Sequence, residues 1–329
     1  MRIAVAGSIA TDHLFTFEGR FADSLLAEQL SNVSLSFLAS DLQVRRGGTG
    51  ANIAFGMAVL GSSPLLVGAV GKDASDYLGW LQQHGVDTTH VRISDTLATA
   101  RFTCTTDLDH AQIATFFPGA MAEAGHIDIA DVGHVDLVVV APDDPVAMLR
   151  HSASCRDRAI PFAADPSQQL AYMDGTAIRG LVEGATYLFT NDYEAGLVHE
   201  KTGWSAEEVL EVVGTRITTH GPDGISVYRR GEPVLEVAPA PAREVVEPTG
   251  VGDAFRAGFL CATGWGLAPE RCAQVGALVA THVVETVGTQ EYSFTPEGFV
   301  GRFCEVYGDA AAAEVAPHVL PVPVGAPGR

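Results

Sequence analysis

Residues 247–259 read EPTGVGDAFRAGF. Gly250 and Gly252 bracket Val251, and the apolar spacing from about Ala254 through Ala262 is that of an amphipathic helix. Glycines placed this way let successive backbone N–H groups converge at a helix N-terminus, where they and the helix dipole attract an anion. Asp253 falls in the first turn, where the dipole favours an ionised carboxylate able to accept a proton. Gly250, Val251 and Gly252 as an anion cradle, with Asp253 as a base beside it, suit phosphoryl transfer. On spacing alone, a Gly-rich turn before a helix is more often a plain βα connection. No GxxxxGK[ST] string occurs, which argues against a Walker-type nucleotide site.

Working outward, short apolar runs alternate with helical patterns. Residues 3–8, 65–70, 137–141, 162–164 and 187–190 read as strands buried on both faces. Residues 51–60, 77–84, 145–158, 176–183 and 207–213 carry helical spacing. This alternation predicts a Rossmann-like α/β fold, a mostly parallel sheet flanked by helices, with ligands at the strand C-termini. Two segments break the pattern: 33–46 and 100–117 alternate polar and apolar residues like antiparallel strand pairs. They predict either edge strands of the main sheet or a small inserted β-sheet lid. With the lid, the large domain comprises 1–12, 47–99 and 118–329, and the lid 13–46 and 100–117.

Forty acidic residues against 20 basic ones give a net charge of −20. Nucleic acid and anionic membrane, which need a basic face, are therefore poor partners. No run is long and apolar enough to span a bilayer, and the first residues read as a strand, not a signal peptide. Five scattered cysteines without a C-x-x-C pair read as reduced thiols of a cytoplasmic protein. His13, His110, His220 and His282 lack ligand spacing and read as surface or satisfied polar residues. The Pro- and Gly-rich end, 317–329, reads as a loose tail.

The string T-G-x-G-D-x-F-x-x-G-F at 249–259 resembles the C-terminal signature of the ribokinase-like (PfkB-type) carbohydrate kinases. The resemblance implies that Asp253 deprotonates the acceptor hydroxyl while the preceding amides hold the phosphoryl group. Gly47-Gly48-x-Gly50-x-Asn52 resembles the N-terminal, sugar-binding signature, and Asp12 falls where the family grips a vicinal diol. Asn191-x-x-Glu194 resembles the element that orders Mg²⁺ and phosphate, and Thr219-x-Gly221-x-x-Gly224 the nucleotide-binding strand and turn. Each string has a plainer reading: Asp12 and Asn191 as caps, and Thr219–Gly224 as a hairpin turn.

At finer grain, residues 7–14, 100–107, 111–121, 162–170 and 188–194 resemble the actinobacterial-type adenosine kinases. That likeness implies Ser8, Asp12, Gly48 and Asn52 around a ribose, Phe102 and Phe116 flanking an adenine, and Gln168 and Gln169 beside the base. It further implies adenosine and Mg-ATP as substrates and a homodimer joined through the lid. Glu247 stands where the signature usually has Asp beside a monovalent-cation site that 284–293 would complete, so K⁺ activation is left open. The alternatives are a sugar or sugar-phosphate kinase of the same fold, for which Arg45, Arg46 and Arg101 speak, and a catalytically silent nucleoside-binding protein. A dehydrogenase is a poor reading, because no GxGxxG follows the first strand.

Overall fold

The structure, a computed structural model, describes residues 1–24 and 36–320. Its strands are β1 (Ile3–Ala6), β2 (Ala10–Thr16), β3 (Asp41–Gly47), β4 (Leu65–Gly71), β5 (Asp87–Ser94), β6 (Ala100–Thr106), β7 (Gln112–Phe117), β8 (Leu137–Val140), β9 (Phe162–Ala164), β10 (Tyr187–Asn191), β11 (Thr215–Thr219), β12 (Ile225–Arg229) and β13 (Leu235–Val237). The helices are α1 (Phe21–Ser24), α2 (Thr49–Val59), α3 (Ser75–Gln83), α4 (Pro145–Asp157), α5 (Gly175–Val182), α6 (Asp192–Thr202), α7 (Ala206–Val212), α8 (Val251–Gly264), α9 (Pro269–Val284), α10 (Pro296–Tyr307) and α11 (Asp309–Val319).

Nine strands form the main sheet in the order β13-β12-β11-β10-β9-β8-β1-β4-β5. It is parallel from β11 to β5, and β12 and β13 close one edge antiparallel. Strands such as β1 (IAVA) are apolar at every position because helices cover both faces. Successive side chains therefore enter two different cores. Ile3, Val5 and Val139 meet α2, α3 and α8–α11, whereas Ala4, Ala6, Val138 and Val140 meet α4–α7. The expected ribokinase-like α/β architecture, with its small separate sheet, is present.

The small sheet has the order β3-β2-β6-β7. The 100–117 segment is the expected hairpin, with Arg101 opposite Phe117. Of the 33–46 stretch, the described residues hold one strand, β3, which runs antiparallel to β2, and β2 runs parallel to β6. The chain leaves β1 at Gly7 and enters the small sheet at Ala10, so a division after residue 12 cuts β2 in its middle. Residues 33–35 of that expectation, and 321–329 of the tail, lie outside the described residues, while 317–319 still belong to α11. Among the described residues no helix is long and apolar enough to cross a membrane.

Candidate active site

The chain passes from β1 to β4 and β5 on one side, then returns to β8, β9 and β10 on the other. The strand order thus reverses between β1 and β8, the place where open α/β sheets bind ligands. A cleft of about 1340 Å³ opens there, between the carboxyl edge of the main sheet and the inner face of the small one. Ser8 follows β1, Pro142 and Asp144 follow β8, and Gly250 and Asp253 open α8 along its wall. A single small-molecule site occupies about 300–1,000 Å³, so this cleft has room for two substrates.

Helix α8 begins at Val251, with Gly250 before it in the left-handed region (φ 78°). First-turn amides of a helix have no intrahelical acceptors, but of the three expected cradle residues only Gly250 lines the cleft, and the Val251 N–H donates to the Pro248 carbonyl at 3.4 Å. Asp253 is half-buried at this end of the cleft. Burial pushes its carboxyl up to about 6, against the lowering influence of Arg256 and of an Asn52 hydrogen bond. Asn52 on α2 donates from Nδ2 to Asp253 Oδ2 at 2.8 Å. Its Oδ1 accepts from the Thr289 hydroxyl at 3.0 Å and from Gln290 Nε2 at 2.9 Å, which fixes the amide's orientation. Gln290 also donates to Tyr77 Oη, which donates to the Gly47 carbonyl. Asn52, expected to face a ribose, lines the cleft and gives one of its two N–H groups to Asp253.

Ser8 Oγ accepts the Thr49 N–H at 3.1 Å and so fastens the start of α2. Gly48 caps that helix at φ 92°. Asp12 lies opposite Arg45 on the inner face of the small sheet. Burial pushes its carboxyl up to about 6, Glu247 adds to the rise, and Arg45 opposes it. Glu247 Oε2 accepts from Arg45 Nη1 at 2.7 Å and from the Gly288 N–H at 3.0 Å. A guanidinium already supplies positive charge beside Glu247, the residue that stands where the signature usually has Asp. Thr289 and Gln290 of segment 284–293 serve the Asn52 network.

Phe102 and Phe116 are register partners on β6 and β7, and both line the cleft. Phe116 is 49% exposed, which leaves its ring face open to a ligand. Gln168 and Gln169 also line the cleft, and Gln169 Nε2 donates to the Asp143 carbonyl at 2.8 Å.

Asn191 and Glu194 form a capping box on α6, each side chain accepting the other's backbone N–H at 2.8 Å. The plainer reading of Asn191 as a cap is therefore what the structure contains, and of the pair Glu194 is the one that lines the cleft. Magnesium that arrives with a nucleotide keeps several waters and needs only one or two protein carboxylates, a demand Glu194 fits. Among the described residues no cluster of three His, Cys, Asp or Glu side chains could hold a metal alone. Thr219, Gly221 and Gly224 do not line the cleft. They join β11 to antiparallel β12, the hairpin reading, although Thr219 is the register partner of Asn191 at the same strand edge. His220 bridges Asp192 and Ser226 at 2.7 Å each, and His282 is neutral because burial pushes its ring down to about 4.

One feature of the site escaped sequence reasoning. Arg256, one turn beyond Asp253, is buried with Asp165 at 2.6 Å and Glu194 at 3.8 Å. The Asp165 contact is a close buried ion pair, and Arg256 Nε has no hydrogen-bond partner among the described residues.

A carboxylate at a glycine-bounded helix N-terminus, in a cleft with room for two substrates, is the arrangement a phosphotransferase needs. A family profile agrees: the description "pfkB family carbohydrate kinase" matches residues 19–296. The chain belongs to this family of kinases. It is similar to the nucleoside kinase of Methanocaldococcus jannaschii, with 28% identity over 291 residues, 88% of this chain and 92% of that one. The Burkholderia thailandensis nucleoside kinase in complex with inosine has a TM-score of 0.84 and 33% identity, covering 93% of this chain and 99% of that one. The same protein in complex with ADP-inosine has a TM-score of 0.81 and 34% identity, covering 93% of this chain and 96% of that one.

Proposed function

We propose that the protein is a nucleoside kinase whose preferred acceptor is adenosine, giving AMP and ADP from Mg-ATP in purine salvage. The observation that carries this reading is the pairing, in one cleft, of Asp253 at the start of α8 with the cross-strand ring pair Phe102 and Phe116. A base fits any hydroxyl acceptor, whereas two aromatic faces fit a flat purine better than a bare sugar. Ser8, Asp12 and Gly48 surround the ribose, with Asp12 accepting from the vicinal diol. The 5′-hydroxyl gives its proton to Asp253 and attacks the γ-phosphoryl in line. The amides of Gly250, Val251 and Gly252 take up charge on the transferred group, and the small sheet keeps water from competing. Glu194 orders the magnesium of Mg-ATP through water, and the nucleotide lies toward Asn191, Thr219, Gly221 and Gly224.

The Burkholderia relative's complex with inosine supports a purine nucleoside. Gln169 gives one Nε2–H to the Asp143 carbonyl, and its Oε1 can accept from an exocyclic amino group such as that of adenine. A sugar-phosphate acceptor is disfavoured by how the arginines are spent. Arg45 holds Glu247, Arg46 lies 4.0 Å from the Trp80 ring centroid, and Arg101 faces Asp73 at 3.7 Å.

The testing experiment is ADP formation from Mg-ATP with adenosine, inosine, other nucleosides, ribose and fructose phosphates, in sodium and in potassium buffer. Fastest turnover with adenosine, alike in both salts, is expected. Preference for a free sugar would refute the aromatic pocket. Phe102→Ala should raise KM for the nucleoside about tenfold, the equivalent of a lost stacking face, with KM for ATP unchanged. Equal changes in both constants would refute stacking. The outer face of the small sheet exposes Leu42, Val44, Ile113 and Phe117, which supports a homodimer joined there. A one-chain mass in sedimentation equilibrium would exclude it. A cytoplasmic site of action follows from the need for Mg-ATP and fits the five free thiols.

A further inference from the structure

Three carboxylates surround one guanidinium behind the proposed phosphoryl cradle. Arg256 meets Asp165 at 2.6 Å and Glu194 at 3.8 Å, and Asp253 precedes it by one turn of α8. Asp165 follows β9 and is fully buried, Glu194 belongs to α6, and Arg256 is 6% exposed, so the cluster joins three elements. Arg256 also lies against the cradle itself: a Cβ on Gly252 would fall 2.7 Å from its Nη1. The cation thus stands beside Gly252, one turn after Asp253 and within 3.8 Å of Glu194. A buried ion pair carries a large desolvation cost, and apolar residues of similar size commonly replace such a pair without loss of stability. Packing alone therefore does not account for it.

We propose that Arg256, anchored by Asp165, is a positioning residue for phosphoryl transfer, holding Gly252, Asp253 and Glu194 in register and backing the cradle with a fixed positive charge. The inference rests on the phosphotransferase reading above. Charge accumulates on the transferred group in the transition state, so the backing cation acts on turnover more than on acceptor binding.

The test uses the full chain and three variants, assayed on whichever acceptor the wild-type protein phosphorylates best. Arg256→Gln is expected to lower kcat about 100-fold, the scale of losing one donor at a developing anion, with acceptor KM within about threefold. Arg256→Lys should recover part of that loss, because the charge returns without the two-pronged geometry. Since Arg256→Gln strands Asp165 as a buried charge and can fail to fold, the third variant is Arg256→Met with Asp165→Leu. It should unfold at the wild-type temperature and bind the acceptor normally by calorimetry, yet keep the low kcat. Recovery of wild-type kcat in this double variant would make the pair structural and overturn the proposal. So would an Arg256→Gln protein with kcat within about threefold of wild type. A wild-type protein that phosphorylates none of the acceptors would instead refute the function itself, a result visible before any variant is made.

Discussion

Asp253→Asn is expected to lower kcat by at least about 10³-fold while leaving the fold and nucleoside affinity in place. General-base catalysis contributes roughly 10²–10⁴-fold, and in phosphoryl transfer little else can take the acceptor's proton. The substitution is nearly isosteric, and its new carbonyl oxygen can still accept the hydrogen bond from Asn52 that Asp253 Oδ2 accepts at 2.8 Å. Single-turnover kinetics and calorimetric titration of adenosine separate the two effects, and a variant retaining a tenth of wild-type kcat would refute the base assignment. The same residue sets the acid limb of the pH profile. Burial pushes Asp253 up to about 6 in the free protein, and a base must be ionised to act, so kcat/KM should fall below about pH 6, and kcat should fall tenfold per pH unit below the pKa that Asp253 has in the substrate complex. Asp12, also pushed up to about 6, must be ionised to accept from the diol of the incoming nucleoside. The limb of kcat/KM should therefore approach a slope of two where that of kcat stays at one. A slope of one in both would remove Asp12 from acceptor binding.

Gly48→Ala is expected to lower stability by at least about 3 kcal/mol, because two penalties add at one position. The backbone there has φ 92°, which an L side chain rarely adopts. A Cβ would also lie 2.6 Å from the Ala10 nitrogen and the Ser8 carbonyl oxygen, and 2.8 Å from the Ile9 Cα. All three are backbone atoms, so no side-chain rotation relieves the clash. The residue joins β3 to α2, and Ser8 and Asn52 are held by the same turn, so residual activity should fall with stability. Thermal unfolding should drop by roughly 5–10 °C. A change within about 1 °C would mean that the turn is not constrained as described.

Much of this site was legible in the sequence because its chemistry is local. Cradle and base occupy consecutive residues, Gly250 to Asp253, and apolar periodicity marks the helix that carries them. The strands buried on both faces were legible for the same reason. What periodicity lacks is partnership. It marks 33–46 as strand-like but not that β3 pairs with residues 10–16, so the entry to the small sheet was placed too late. Arg256 sat in the first stretch quoted and still read as one more helical residue. Its surroundings come from Asp165 and Glu194, which lie 91 and 62 positions away in the chain and reach it only once β9 and α6 are in place. Segment 284–293 drew attention as a cation site, and the fold uses it to orient an amide.

That amide carries a stereochemical consequence. A flip of Asn52 would set its amide N–H groups against the Gln290 Nε2 donor that its Oδ1 now accepts from at 2.9 Å. Asn52 therefore presents a permanent N–H to one oxygen of Asp253, and among the described residues the other oxygen, Oδ1, receives no such donor. The two lone-pair sets of the carboxylate are no longer equivalent. For the base proposed above, the acceptor's proton then has a preferred landing atom, chosen by a residue 201 positions away before any substrate arrives.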